Sequence, residues 1–170
     1  YFKNYEGSFV LFNSNRDSWT VYDMEHATHR ISPDSTYKIY DALWGLEENI
    51  ITPQNSLLIW DGKDYPFEAW NTDLTLDSAM AASANWYFQT IDERLSLTRI
   101  QNYLNKIEYG NKNIMGGLSS YWLESTLKIS PVEQVELLKK LQTNNLEFHS
   151  NNLQAVKNSI LLSSVNDKKL

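Results

Sequence analysis

Strand-forming sequence is confined to the residues before Pro33, and everything after it has helical periodicity or loop character. Gly7-Ser8-Phe9-Val10-Leu11-Phe12 and Ser18-Trp19-Thr20-Val21-Tyr22 are rich in β-branched and aromatic residues, and Ser14-Asn15-Arg16-Asp17 between them supplies turn formers. The pair is therefore predicted to form a β-hairpin. Thr28 to Ser32 adds a short extended piece. A two-stranded hairpin is not stable alone in water, so helices must cover it or further strands must join it. Strands first and helices after specify an α+β architecture, not alternating βα units.

From Ser35 to about Glu48 apolar residues recur at helical spacing, with Ile39, Leu43 and Leu46 on one side and Tyr40 and Trp44 beside them. Asp34 or Ser35 is placed to cap this helix. Residues 49–74, with Pro53, Gly62 and Pro66 among aromatics, are predicted to be ordered loop with short helices. Helices follow over Leu76 to Ala82, Trp86 to Leu95 and Thr98 to Ile107. Tyr109 to Gly117 is a glycine- and asparagine-rich loop. Ser130-Pro131-Val132-Glu133 is a capping box with proline at the first helical position and opens a helix to about Thr143. Asn152 to Ser163 is the last predicted helix, and Asn166-Asp167-Lys168-Lys169 a polar turn. The 170 residues suit a single domain, with a hairpin part at about 5–32 and a helical part at about 33–170.

A net charge of −6 excludes the basic face that nucleic-acid binding needs. With no cysteine, disulfide and thiol chemistry are excluded. No apolar run approaches the length of a membrane span, and Tyr1-Phe2-Lys3-Asn4-Tyr5 is unlike a signal peptide, so the numbering is expected to begin inside a longer precursor. His26 and His29 lie near Asp23 and Glu25, but a strand or loop would not align two ligands at that spacing, and no metal site is expected.

Ser35-Thr36-Tyr37-Lys38 places a lysine three residues after a serine. On a helix the two share a face, so the amine can reach the hydroxyl. Serine is a weak nucleophile without an adjacent base, and lysine serves as one only when burial favours its neutral form. The helix N-terminus would stabilise developing negative charge. Spacing alone is unspecific, because Ser125-Thr126-Leu127-Lys128 repeats it, and a helix cap followed by a surface lysine is the plainer explanation. Ser83-Ala84-Asn85 offers a hydroxyl and an amide between two helices, as proton relay or as a plain turn. Tyr109-Gly110-Asn111 could shape a pocket wall or simply turn the chain. Trp122 could donate its indole N–H to a buried polar group or only fill the core.

Taken together and in order, these segments resemble the class D β-lactamases and the extracellular penicillin-binding sensor domains of β-lactam-responsive signal transducers. Ser32-Pro33-Asp34-Ser35-Thr36-Tyr37-Lys38 resembles the active-site serine motif, Ser83-Ala84-Asn85-Trp86-Tyr87-Phe88-Gln89 the second motif, and Tyr109-Gly110-Asn111 the third. Tyr121-Trp122-Leu123-Glu124, with Leu127 to Gln134, is similar to the stretch that brings a tryptophan over the lysine. Phe67-Glu68-Ala69-Trp70-Asn71 and Tyr5-Glu6-Gly7-Ser8-Phe9-Val10 are most similar to the methicillin-resistance branch of the sensors.

The resemblance implies a penicillin-binding-protein and serine β-lactamase-like fold, an antiparallel sheet with a helical subdomain. It implies a β-lactam receptor on the extracellular face of the cell membrane, continuous with membrane-embedded and cytoplasmic zinc protease parts. Ser35, Lys38 and Ser83 would be catalytic, and Asn85, Trp122, Tyr109 and Asn111 ligand-binding. Ser35 would be acylated, with Lys38 carboxylated by CO2 as its base and no other cofactor. In a β-lactamase the carbamate also hydrolyses the ester; in a sensor it is lost and the ester persists. Asn85 stands where many class D enzymes have an apolar residue, and its amide is expected to hold the bare Lys38 amine. The family's Lys-Thr-Gly strand does not occur in the sequence, so truncation near Leu170 is expected. A turning-over class D enzyme and a noncatalytic helical partner-binding module remain the alternatives.

Overall fold

The hairpin forms as predicted. Strands β1 (Phe9–Asn13) and β2 (Ser18–Tyr22) pair antiparallel, with Phe9 opposite Tyr22 and Asn13 opposite Ser18. The Asn13 carboxamide oxygen accepts from the backbone N–H groups of Asn15 and Arg16, which closes the turn. This is a computed structural model describing residues 5–161 and the backbone of two further strands, β3 (Ser164–Val165) and β4 (Lys168–Lys169), which pair with each other. The predicted polar turn lies partly outside the described residues.

Between hairpin and serine motif the chain forms a short helix, α1 (Met24–Thr28), where strand or loop character was expected. Asp23, in the left-handed region, caps it by accepting from the His26 backbone N–H, and its other carboxylate oxygen lies 2.8 Å from His26 Nδ1. The helical signal is a single cap over five residues, too short for a periodicity to register. After α1, His29 is extended and Ile31 bridges to Ile129.

A 3-10 turn (Asp34–Tyr37) runs into α2 (Lys38–Glu47). The apolar stripe predicted an amphipathic helix, yet α2 is buried almost all round, from Tyr40 through Leu46. It is the central helix, packed by α4 (Asn85–Arg94) and α7 (Ser150–Ser159). Gly45 lets α2 approach α4, since a Cβ there would lie 3.0 Å from the Ile91 side chain. Residues 49–74 are loop, as predicted, with a 3-10 turn at Glu68–Trp70 and a Leu58–Leu74 bridge. Next come α3 (Leu76–Ala82), α4 and α5 (Leu97–Ile107). The capping box opens α6 (Pro131–Gln142), which packs under β1 and α1 and so covers the hairpin. The last helix, α7, begins two residues before its predicted start and ends at Ser159, short of the predicted Ser163.

Candidate active site

Three heteroatoms meet where the 3-10 turn, α2 and the α3–α4 junction converge. Lys38 Nζ donates to Ser35 Oγ at 3.0 Å, to Ser83 Oγ at 2.8 Å and to the Ser83 carbonyl at 2.7 Å. Ser83 Oγ in turn donates to Ser35 Oγ at 3.0 Å. An ammonium has three protons, and here it has three acceptors. The lysine is 1% exposed, whereas the serine hydroxyl belongs to an exposed residue. The serine thus faces outward while the amine is kept dry.

Burial lowers the Lys38 pKa to about 8, because an ammonium without water is costly; Asp34 and Asp41 oppose that fall. The Nζ lies 5.6 Å from the Trp122 ring centroid and 5.8 Å from that of Phe88. Ser83 reaches the lysine through a left-handed conformation, φ 51°, at the end of α3, which presents both its hydroxyl and its carbonyl.

The turn before the serine is tied down from outside. Asp34, also left-handed at φ 46°, does not cap the helix as expected; its carboxylate accepts from the Glu124 backbone N–H at 2.9 Å, and its own N–H donates to the Trp122 carbonyl at 3.1 Å. The Ser32 hydroxyl donates to the Trp122 carbonyl at 3.2 Å, and the Gln134 amide donates to Thr36 Oγ1. Residues 122–134 therefore hold the serine turn in place.

An exposed serine, a buried lysine and a second serine are thus in mutual hydrogen-bond contact. The family model for the penicillin binding protein transpeptidase domain matches residues 6–169. The chain belongs to this transpeptidase family. Among its relatives, regulatory protein BlaR1 of Bacillus licheniformis is 44% identical over 164 residues, 96% of this chain and 27% of the relative. Methicillin resistance mecR1 protein of Staphylococcus aureus is 41% identical over 162 residues, 95% of this chain and 28% of the relative. The chain thus spans little more than a quarter of these curated relatives. Among solved structures, class D beta-lactamase BAT-2 superposes with a TM-score of 0.94 at 34% identity, over 97% of this chain and 70% of that one. The C-terminal domain of the Bacillus licheniformis BlaR penicillin-receptor superposes with a TM-score of 0.89 at 44% identity, over 95% of this chain and 65% of that one. The fold is the transpeptidase and class D β-lactamase-like fold, with a small antiparallel sheet and several helices.

Within this transpeptidase fold the remaining predicted residues divide. Trp122 lies over Lys38, and its indole N–H is bound to Asp92 Oδ2 at 2.8 Å. Asn85, half-buried at the start of α4, makes no side-chain hydrogen bond among the described residues, and the three Lys38 bonds go elsewhere. The expected amide–amine contact is therefore absent from this state. Tyr109 and Asn111 do not meet Ser35. The Tyr109 ring is fully buried and packs edge-on against Tyr37 and Tyr40, with centroids 5.7 and 5.4 Å away. Asn111 laces the loop to the tryptophan-bearing segment: its amide donates to the Thr126 carbonyl and its oxygen accepts from Lys128 N–H, each at 2.9 Å. Gly110 between them has φ 43°, and a Cβ there would lie 1.9 Å from the Lys128 carbonyl, so only glycine fits. Tyr109 is thus a core residue, and Asn111 an exposed one that joins two loop segments.

The second Ser-x-x-Lys, Ser125 to Lys128, lies in a non-helical segment, so its serine and lysine share no helix face. Two site-adjacent residues escaped the sequence reading: Asp41 on α2 and Asp92 on α4, both fully buried. An aspartate three residues after Lys38 carried the only signal, and it resembles an ordinary first-turn acid.

Proposed function

We propose that this domain is a β-lactam receptor in which Ser35 is the acylated nucleophile, Lys38 its base and Ser83 the proton relay. The Ser35–Lys38–Ser83 contact carries the reading. With Lys38 neutral, Ser35 Oγ attacks the lactam carbonyl carbon and passes its proton to Nζ. The Oγ–C bond forms and the lactam C–N bond breaks. Ser83 gives its proton to the departing ring nitrogen and is reprotonated by the Lys38 ammonium. General-base help of this kind contributes about 10²–10⁴ in rate.

A neutral, buried amine is also the form that adds CO2, giving a carbamate and a released proton, and the lowered Lys38 pKa supports that modification. A carbamate nitrogen has only one N–H, so the triple-donor contact of Lys38 belongs to the uncarboxylated lysine. When present, the carbamate supplies a stronger base; its loss after acylation would leave a long-lived ester. Asn85, with an uncommitted amide two residues after Ser83, is placed to favour that loss. On this reading the domain sits on the extracellular face of a membrane protein. It reports antibiotic binding to membrane-embedded and cytoplasmic zinc protease parts, and so induces resistance.

The second reading is hydrolytic turnover, favoured by the close superposition on a class D β-lactamase. Intact-protein mass spectrometry of the full-length protein with a penicillin, followed over hours, separates the two. A persistent adduct on the Ser35 peptide, absent from Ser35→Ala, is expected for a receptor. An adduct that disappears while antibiotic is consumed would make the protein an enzyme, and no adduct at all would defeat both readings.

A further inference from the structure

Two aromatic rings lie against Lys38 Nζ, and α4 governs both. Phe88, on α4 itself, has its ring centroid 5.8 Å from Nζ, and Trp122, from the segment between α5 and α6, has its ring centroid 5.6 Å away. Both side chains are fully buried. Asp92 follows Phe88 by four residues, which puts the two on one face of the helix. There its carboxylate accepts the Trp122 indole N–H on Oδ2 and the Tyr121 hydroxyl on Oδ1, each at 2.8 Å. One turn of α4 thus supplies one ring beside the lysine and anchors the other.

Asp92 is wholly buried, and neither of its donors is a cation. A carboxylate held away from water without a cation is costly, and its hydrogen bonds are what offset that cost. The Tyr121 side of the network runs into the core: the Tyr121 hydroxyl lies 2.5 Å from that of Tyr37, which accepts from Trp44 Nε1–H at 3.1 Å. The Trp122 side runs to the active site. The Trp122 carbonyl accepts from the Asp34 N–H and the Ser32 hydroxyl, in the turn that bears Ser35, and its ring covers Lys38.

An indole has a single donor, and here it is committed to Asp92. Turning the ring away from Lys38 would leave a buried N–H and a buried carboxylate oxygen unpaired, which opposes the motion. The charges that act on Lys38 are Asp34 and Asp41, and its close polar neighbours are Ser35 and Ser83. The acids acting on Asp92 are Asp41 and Glu93. Asp92 therefore reaches the lysine through the indole, not through its own field.

We propose that Asp92 is a positioning residue: by holding the single N–H of Trp122 it fixes the indole ring against Lys38 and keeps the amine dry. The consequence for acylation rests on Lys38 being the base for Ser35. Two variants separate the hydrogen bond from the charge. Asp92→Leu keeps the core filled and leaves the indole N–H without its acceptor. Asp92→Asn also loses the charge, but it keeps an oxygen for that N–H and turns its amide toward the Tyr121 oxygen.

Lys38 ionisation is read in the full-length protein by carbon-13 NMR of labelled lysine, with no antibiotic present. In Asp92→Leu the ring loosens and water reaches the amine, so the midpoint should rise from about 8 by about one pH unit, toward the ordinary 10.5. In Asp92→Asn it should stay near the unsubstituted value. Trp122→Phe, a ring with no N–H, should raise it as Asp92→Leu does, and the double variant no further, because both changes remove one contact. At pH 7 a one-unit rise lowers the neutral amine about tenfold, and Ser35 labelling by penicillin should slow in proportion. An unmoved midpoint in Asp92→Leu, an equal rise in Asp92→Asn, a fall in both, or additive shifts in the double variant would overturn the proposal. Nitrogen-15 NMR of the unsubstituted protein decides the contact even if Asp92→Leu does not fold. The Trp122 indole proton, assigned by its loss in Trp122→Phe, should be protected from solvent exchange and should shift in Asp92→Asn; free exchange would sink the idea. If penicillin labels no serine, the receptor reading fails while the lysine titration and the indole proton still judge Asp92.

Discussion

At the scale of single residues, the candidate site is built on an asymmetry of exposure along one turn of helix. Ser35 is open to solvent and Lys38, three residues on, is 1% exposed, so one side chain can meet a ligand while the other loses its water. Desolvation brings the Lys38 pKa down to about 8 from an ordinary 10.5. With the neutral amine as the proposed base, the rate of Ser35 acylation should rise with pH through a midpoint near 8, as stopped-flow labelling with a chromogenic cephalosporin would measure. A flat profile from pH 6 to 9 would remove Lys38 from that role. The Ser-x-x-Lys spacing was legible twice in the sequence, and folding decided between the copies, because Ser125 to Lys128 is not helical. Asp41 and Asp92 were not legible, since an aspartate in a helical stretch is ordinarily a solvated residue.

At the scale of elements, local signals succeeded where a helix carries its own cap. In α6 the Ser130 hydroxyl accepts from the Glu133 N–H, and Glu133 Oε2 accepts from the Ser130 N–H at 2.9 Å, as the tetrapeptide predicts. The same glutamate takes the Arg30 guanidinium, with Nε donating at 3.0 Å, and so ties the segment before Pro33 to α6. Ser130→Ala should cost about 1 kcal/mol, the usual worth of an N-cap, measured by urea unfolding. Local signals failed where another element supplies the partner. The α7 start has no side-chain cap of its own; Glu47 at the end of α2 accepts from the His149 N–H at 3.0 Å and from the Asn152 amide at 2.8 Å. A contact between residues about a hundred positions apart leaves no mark on the sequence near either one.

At the scale of the whole molecule, the aromatic load becomes a single core around α2. Tyr37, Tyr40, Trp44, Tyr109, Tyr121 and Trp122 are all nearly or wholly buried within it. Two carboxyls, Asp41 and Asp92, are buried in that core, and this has a thermodynamic consequence. Burial raises both Asp41 and Asp92 above their ordinary values, so the folded state keeps protons that the unfolded chain releases above about pH 4. The pair's contribution to stability is therefore fully present below the unfolded pKa and is lost as pH rises. Asp41→Asn has no such proton to keep. Its stability relative to the unsubstituted protein should improve between pH 4 and 7, by at most about 1.4 kcal/mol per pH unit. Urea unfolding at several pH values measures this, and parallel stability curves would show that Asp41 is as ionised in the folded chain as in the unfolded one.

The sequence by itself determined what depends on near neighbours: the hairpin and its turn, most of the helices, the α6 cap, and the candidate nucleophile and base one helical turn apart. Propensity, capping and helical periodicity act over a few residues, so they are written in short windows. Tertiary structure alone decided which Ser-x-x-Lys is helical, that Ser83 reaches Lys38 through a left-handed turn, that Tyr109 packs into the core while Asn111 joins two loop segments, and that Asp41 and Asp92 are buried, Asp92 holding Trp122. Those outcomes depend on burial and on partners far apart in the chain, and burial is a property of the assembled core.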